Sequence, residues 1–245
     1  MVTKHLKKSW MAYRKNFSEL LKALIVNYGL FILIVVGGGF VSFFVPDMML
    51  WIFGISIIAG VLLFIVLNGG FIRMCYESLR GKTKLSTMFK TSRKNAWPLI
   101  GTNSITFFIS LIVVIVVSFA VLATTQPEYL FSGYYLSSIP TYSIILIYII
   151  IVLILVLFSF VNQGVVINNL GVFKSIKKSL EVAKKNYLTI VYLIVIFIFF
   201  YYVSKYSVGL IPQVGPFLEN IVNYFLLVPL LDLCITNIYV RGKKK

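Results

Sequence analysis

Acidic residues and histidine are scarce in this chain, and their scarcity narrows its chemistry before any pattern is considered. Seven of 245 residues are Asp or Glu and one, His5, is histidine, against 23 Lys and Arg. One histidine excludes multi-histidine zinc centres and a Ser-His relay beyond that position. Two cysteines, Cys75 and Cys234, do not make a disulfide framework, and neither has a base nearby in sequence. The few carboxylates are dispersed, and no glycine loop of the P-loop or dinucleotide type is present. The sequence therefore predicts no catalytic residues, no metal, no cofactor and no enzymatic activity.

What the chain has in abundance is apolar length. It is 60% hydrophobic and 12% charged, whereas a soluble domain is about half apolar and about a quarter charged; mean hydropathy is +0.96. A bilayer core of about 30 Å needs about 20 apolar residues per helix, and only helices or closed barrels satisfy their backbone there. Runs such as Ile144 to Val161 do not alternate, which selects helices. Six spans are predicted, at approximately 20–44, 48–70, 97–123, 142–166, 187–210 and 215–238. The basic N-terminal stretch before the first is read as part of a retained span, because the apolar run exceeds the length of a signal peptide.

Basic residues cluster on alternate connections. Lys4, Lys7, Lys8, Arg14 and Lys15 precede the first span, Arg80 to Lys94 separate spans two and three, Lys174 to Lys185 precede span five, and Arg241 with Lys243 to Lys245 follows span six. The positive-inside rule places both termini in the cytoplasm of a multi-pass cell-membrane protein. The net charge of +16 is explained by this topology. No stacking or recognition module accompanies it, so nucleic acid is not expected as a partner. Anionic membrane lipids are, together with a membrane-protein partner.

A basic phrase recurs before three of the apolar runs: Arg14-Lys15-Asn16, Arg93-Lys94-Asn95 and Lys184-Lys185-Asn186. It predicts an all-α, single integral membrane domain over residues 1–245, built from three hairpins at roughly 1–80, 81–170 and 171–245. Each hairpin is introduced by a cytoplasmic amphipathic helix lying in the head-group plane. Leu6, Trp10, Tyr13 and Phe17 form the apolar face of the first such helix, and Phe173, Ile176, Leu180, Ala183 and Tyr187 that of the third. Leu85, Met88, Phe89 and Ser92 form a weaker middle stripe. Asn16, Asn95 and Asn186 are read as hinges that cap or bond locally where helix meets span. Lys15, Arg93, Lys94, Lys174, Lys177, Lys178, Lys184 and Lys185 are read as head-group contacts. Arg80-Gly81-Lys82 and Arg241-Gly242-Lys243 are related hairpin exits.

The stretch Gly70 to Lys84 followed by Leu85 to Asn95, and the run from Gly171 through Ser179 to Asn186, resemble six-span membrane-protein families of archaea and bacteria. These include YciC-like proteins and the membrane domain attached to some glycerophosphodiester phosphodiesterases. The resemblance implies the six-span fold and no activity. Where relatives often carry an acidic residue before the glycine, this chain has Asn168 and Asn169.

Ionisable groups inside spans are functional candidates by default. Arg73 and Asp232 stand seven and nine residues inside the related exits, which predicts a buried ion pair between first and third hairpins, with Glu77 completing it. The alternative is a polar site open to the cytoplasm that also takes in Asn162, Gln163, Asn168 and Asn169. Gly37 to Gly39 permits close helix approach or a bend, Pro229 is expected to bend span six, and Glu19 with Lys22 forms a local pair. The function read from these features is a membrane scaffold or accessory factor that docks lipid or a partner. The rival reading is a transporter of a lipid or small molecule through a polar cavity between the hairpins.

Overall fold

A computed structural model describes residues 2–125, 141–208 and 215–242. The expected second connection lies mostly outside these residues, as do Gly209 and Pro212 of the third connection and Lys243 to Lys245. Among the described residues the chain is helical and has no strand: α1 (Val2–Lys15), α2 (Phe17–Phe43), α3 (Met49–Ser78), α4 (Leu85–Thr125), α5 (Thr141–Phe158), α6 (Val161–Asn168), α7 (Val172–Val208), α8 (Gly215–Val222) and α9 (Val228–Gly242). Among the described residues six segments are long and apolar enough to cross a membrane: Phe17–Phe43, Pro46–Ser78, Leu85–Ala120, Ile149–Asn168, Val172–Ser207 and Glu219–Gly242. Large apolar side chains such as Leu50, Trp51 and Phe43 point outward, as they do when the surrounding solvent is hydrocarbon.

α3 is central, packing against α2 and α4 and also touching α6 and α9, while α7 packs on α5, α6 and α9. Glycine permits the closest of these approaches. A methyl at Gly70 would lie 2.3 Å from the Met88 carbonyl oxygen, and one at Gly38 would overlap the Ser56 hydroxyl. Of the Gly37 to Gly39 run, Gly38 is therefore the contact between α2 and α3, and α2 passes through the run unbroken.

α4 and α7 run unbroken for 41 and 37 residues. At 1.5 Å per residue these rods are about 60 and 55 Å long, well beyond a hydrocarbon core of about 30 Å. Their basic N-terminal turns belong to the same uninterrupted helix as the span, so the separate introducing helices expected there are not separate elements. Only the first copy breaks, between α1 and α2.

Two interruptions inside spans are repaired by side chains from elsewhere. Between α5 and α6, the Ser179 hydroxyl accepts the Phe160 N–H at 3.1 Å and donates to the Leu157 carbonyl at 2.8 Å. Ahead of Pro229, residues Asn223–Leu227 form a π-helical turn. Proline has no N–H for the carbonyl four residues back, which is that of Phe225, and the Tyr13 hydroxyl donates to this carbonyl at 2.5 Å. Burial pushes the Tyr13 phenol up to about 12, so it stays a donor across ordinary pH.

We expect Gly70→Ala to destabilise the bundle by about 1–3 kcal/mol through forced separation of α3 and α4. Gly54→Ala, with open space at its Cβ position, should be neutral or gain up to about 1 kcal/mol of helix propensity. Unfolding titrations in mixed micelles check the contrast.

Candidate functional site

The first anchor asparagine holds a corner together. Asn16 is buried; its Nδ2 donates to the Ala12 carbonyl at 3.1 Å and the Gly81 carbonyl at 3.0 Å, and its Oδ1 accepts the Thr83 N–H at 3.1 Å. It stands at the N-cap position of α2 without capping it. Instead it staples the α1–α2 break to the loop that leaves α3. Beside it, Glu19 Oε2 accepts the Leu85 N–H at 2.9 Å, serving the first turn of α4, and Glu19 Oε1 pairs with Lys22 at 2.9 Å.

Asn95 and Asn186 are not hinges. Each lies within an unbroken helix and donates to the carbonyl four residues back, of Thr91 at 3.1 Å and Val182 at 2.9 Å. A helix supplies that carbonyl without breaking, so these residues bond locally and the chain does not turn.

The apolar faces are also displaced from expectation. α1 buries His5, Ser9, Ala12 and Tyr13 while Trp10 and Phe17 are exposed. α7 buries Ser175, Ser179, Val182 and Ala183 while Phe173 and Tyr187 are exposed. Small residues let backbones approach, and lipid receives the aromatic stripe as readily as a protein core would.

The ion pair expected between Arg73 and Asp232 is not formed. Arg73 Nε pairs with Glu77 Oε1 at 3.4 Å on the same face of α3, with both side chains about one-third exposed. Thr83 and Thr87 donate to Glu77 Oε2 at 3.3 and 3.0 Å. Asp232 is partly buried on α9, within electrostatic range of Tyr28 and Cys75. Among the described residues it enters no ion pair.

A cavity of about 380 Å³ opens where α3, α4 and α6 meet. It is lined by Arg73, Glu77, Lys90, Lys94, Asn95 and Asn169, with Thr87, Thr91 and Val166. Three cations face one carboxylate already engaged by Arg73 and two threonines, so the cavity suits an anion. Asn169 caps α6 in the left-handed conformation at φ 51°, one that asparagine tolerates better than most residues. The neighbouring Asn168 does not line the cavity; its Nδ2 bonds to the Tyr239 hydroxyl. Asn162 pairs with Asn103 across α6 and α4, the Asn103 Nδ2 donating at 2.8 Å. Gln163 is buried, with no hydrogen-bond partner for its Oε1 among the described residues. Sequence reading had missed Thr83 and Thr87; their four-residue spacing opposite Glu77 was the available signal.

Of the lysines and arginines expected to meet head groups, Lys15, Arg93, Lys94, Lys174, Lys177, Lys184 and Lys185 are exposed, and Lys178 pairs with Glu181 at 3.0 Å. Among the described residues no group of three or more His, Cys, Asp or Glu comes together as metal ligands would. Cys75 and Cys234 are buried free thiols.

Asn16→Ala strands two backbone partners, the Gly81 carbonyl and the Thr83 N–H, and should cost about 2 kcal/mol, whereas Asn95→Ala and Asn186→Ala should each cost less than about 1 kcal/mol, compared by unfolding in micelles. Docking of α1 should also respond to pH. Burial, with Arg241 and Lys8 nearby, holds the His5 imidazole below its ordinary value of 6.5. The undocked helix then takes the proton first, so docking is complete above about 6.5 and weakens as pH falls below it. Hydrogen exchange of the α1 amides, corrected for intrinsic rate, should show this loss, and His5→Gln should flatten it.

No curated protein and no solved structure matches the chain. Residues 23–225 match the model of a family described as a domain of unknown function (DUF7847). That match covers well over half of the sequence, and the chain belongs to this family.

Proposed function

We propose that this chain is a non-catalytic membrane scaffold or accessory factor that docks anionic lipid head groups, or a membrane-protein partner, on one basic end of its helix bundle. The observation that carries the reading is how firmly that end is gathered. Asn16 bonds to Gly81 and Thr83, Glu19 serves the start of α4, and a methyl at Gly242 would lie 3.0 Å from Asn186 Nδ2. These contacts bring the exits of α3 and α9 beside the basic turns that precede α2 and lie within α4 and α7. Exposed lysines and arginines on such rigid turns attract anionic lipid at about 1 kcal/mol each. The positive-inside rule assigns this end, with both termini, to the cytoplasm.

The threefold repeat belongs to the same reading. Each anchor asparagine donates to the carbonyl four residues back, and burial recurs in register around them: Ser9, Met88 and Ser179 seven residues before, Tyr13, Ser92 and Ala183 three before, Leu20, Leu99 and Ile190 four after. Kinship with YciC-like proteins and the phosphodiesterase-attached membrane domains is supported by the Gly171 to Asn186 run, in which Ser179 repairs a helix break. A transport reading draws support from the cavity around Arg73, Glu77 and Asn169. The two readings part on solute flux into proteoliposomes, which the scaffold does not produce.

Changing Lys174, Lys177 and Lys178 together to Gln should lower the enrichment of phosphatidylglycerol over phosphatidylcholine around the protein several-fold, as read by native mass spectrometry. Unchanged lipid enrichment together with unchanged partner recovery would overturn the scaffold.

A further inference from the structure

The arginines of the two Arg-Gly-Lys exits converge on one place. Arg80, just past the end of α3, and Arg241, in the last turn of α9, line a cavity of about 390 Å³ together with Lys8 of α1. Tyr76 and Asn237 add to its polar wall. No carboxylate lines it, and among the described residues neither Arg80 nor Arg241 enters an ion pair. The two guanidinium groups facing one hollow repel one another, and an anion seated between them removes the repulsion.

The walls are built. The Arg80 guanidinium lies 4.3 Å from the centroid of the Tyr76 ring, whose position Arg73 shares at 5.1 Å. Asn237 Nδ2 donates to the His5 carbonyl at 3.4 Å, tying α1 to α9 beside the cavity. An Arg held over an aromatic ring has given up part of its rotamer freedom before any ligand arrives.

Two guanidinium forks and an ammonium define the ligand. Forks match phosphate oxygens in parallel hydrogen-bonded pairs, and lysine adds a point charge. The volume falls in the range of ligand sites, about 300 to 1,000 Å³. We propose that this cavity is a phosphate-recognition seat in which Arg80 and Arg241 grip a phosphomonoester or pyrophosphate group and Lys8 supplements the charge. The inference rests on the docking reading above and narrows it from a diffuse basic collar to one defined position. A lipid phosphate would reach the seat with its chains along α3 and α9, and a soluble phosphate would reach it from water.

The full-length protein in phosphatidylcholine nanodiscs, either doped with phosphatidic acid or titrated with inorganic pyrophosphate, tests this. Joint Arg80→Gln and Arg241→Gln substitution should weaken the bound probe at least roughly tenfold, a larger loss than the several-fold one expected of the Lys174, Lys177 and Lys178 variant. Phosphatidic acid retained against millimolar pyrophosphate makes the source a lipid, and tighter pyrophosphate makes it soluble; both uphold the phosphate seat. If the double Gln variant does not stay monodisperse, Arg80→Lys with Arg241→Lys keeps the charge and removes the forks. It should lower phosphatidic acid binding at least threefold with the melting temperature unchanged. Binding of both probes at wild-type strength in a folded variant of the arginine pair overturns the proposal. In that event, a loss of lipid enrichment in the lysine variant would leave the general docking reading intact.

Discussion

Inside a bilayer there is no water to complete a broken helix, and this requirement organises the molecule. At four places where a helix stops or deforms, a side chain from another element supplies the missing hydrogen bond. Ser179 closes the gap between α5 and α6, Tyr13 serves the Phe225 carbonyl that Pro229 leaves open, Asn16 closes the corner between α1 and the loop after α3, and Glu19 serves the start of α4. Each repair also pins one helix against another. Backbone satisfaction and tertiary packing are here the same set of contacts, which matters where lipid gives little reason for apolar faces to associate.

The spans were legible because length and composition decide them, and the close contact at Gly38 was foreshadowed by the three consecutive glycines. The aromatic stripes misled. Trp10, Phe17, Phe173 and Tyr187 sit at helical spacing and face outward, because in lipid periodicity marks a face without saying which side is protein. Serine and alanine at Ser9, Ala12, Ser175 and Ser179 carry the packing information, and their spacing was equally visible. Pro229 was expected to bend span six and is preceded by a π-helical turn, yet nothing local announced that a tyrosine 216 residues earlier in the sequence serves the carbonyl it leaves open.

The polar site was legible in its members and not in its grouping. Counting inward from the exits gave Arg73 and Asp232 comparable depth, but depth leaves the angle around the helix axis open. Arg73 faces Glu77 and the cavity of α3, α4 and α6, while Asp232 lies on α9, outside that cavity's lining. Adjacent residues likewise diverge: Asn168 reaches Tyr239 and Asn169 turns into the cavity wall. The Arg-Gly-Lys stretches, expected as related hairpin exits, place two arginines in one hollow because α3 and α9 pack together.

The Tyr13 to Phe225 and Asn237 to His5 hydrogen bonds join positions 212 and 232 residues apart. Contacts of such separation close the longest loops in the chain and form late. During synthesis, α1 emerges at the start but its docking surface on α9 does not exist until nearly the last helix has been inserted. The docking of α1 therefore waits on α9, more than 200 residues later in the sequence. A bundle without α9 leaves Ser9, Ala12 and Tyr13 of a basic helix without the surface they pack on, and such exposed packing faces make incomplete bundles prone to aggregate.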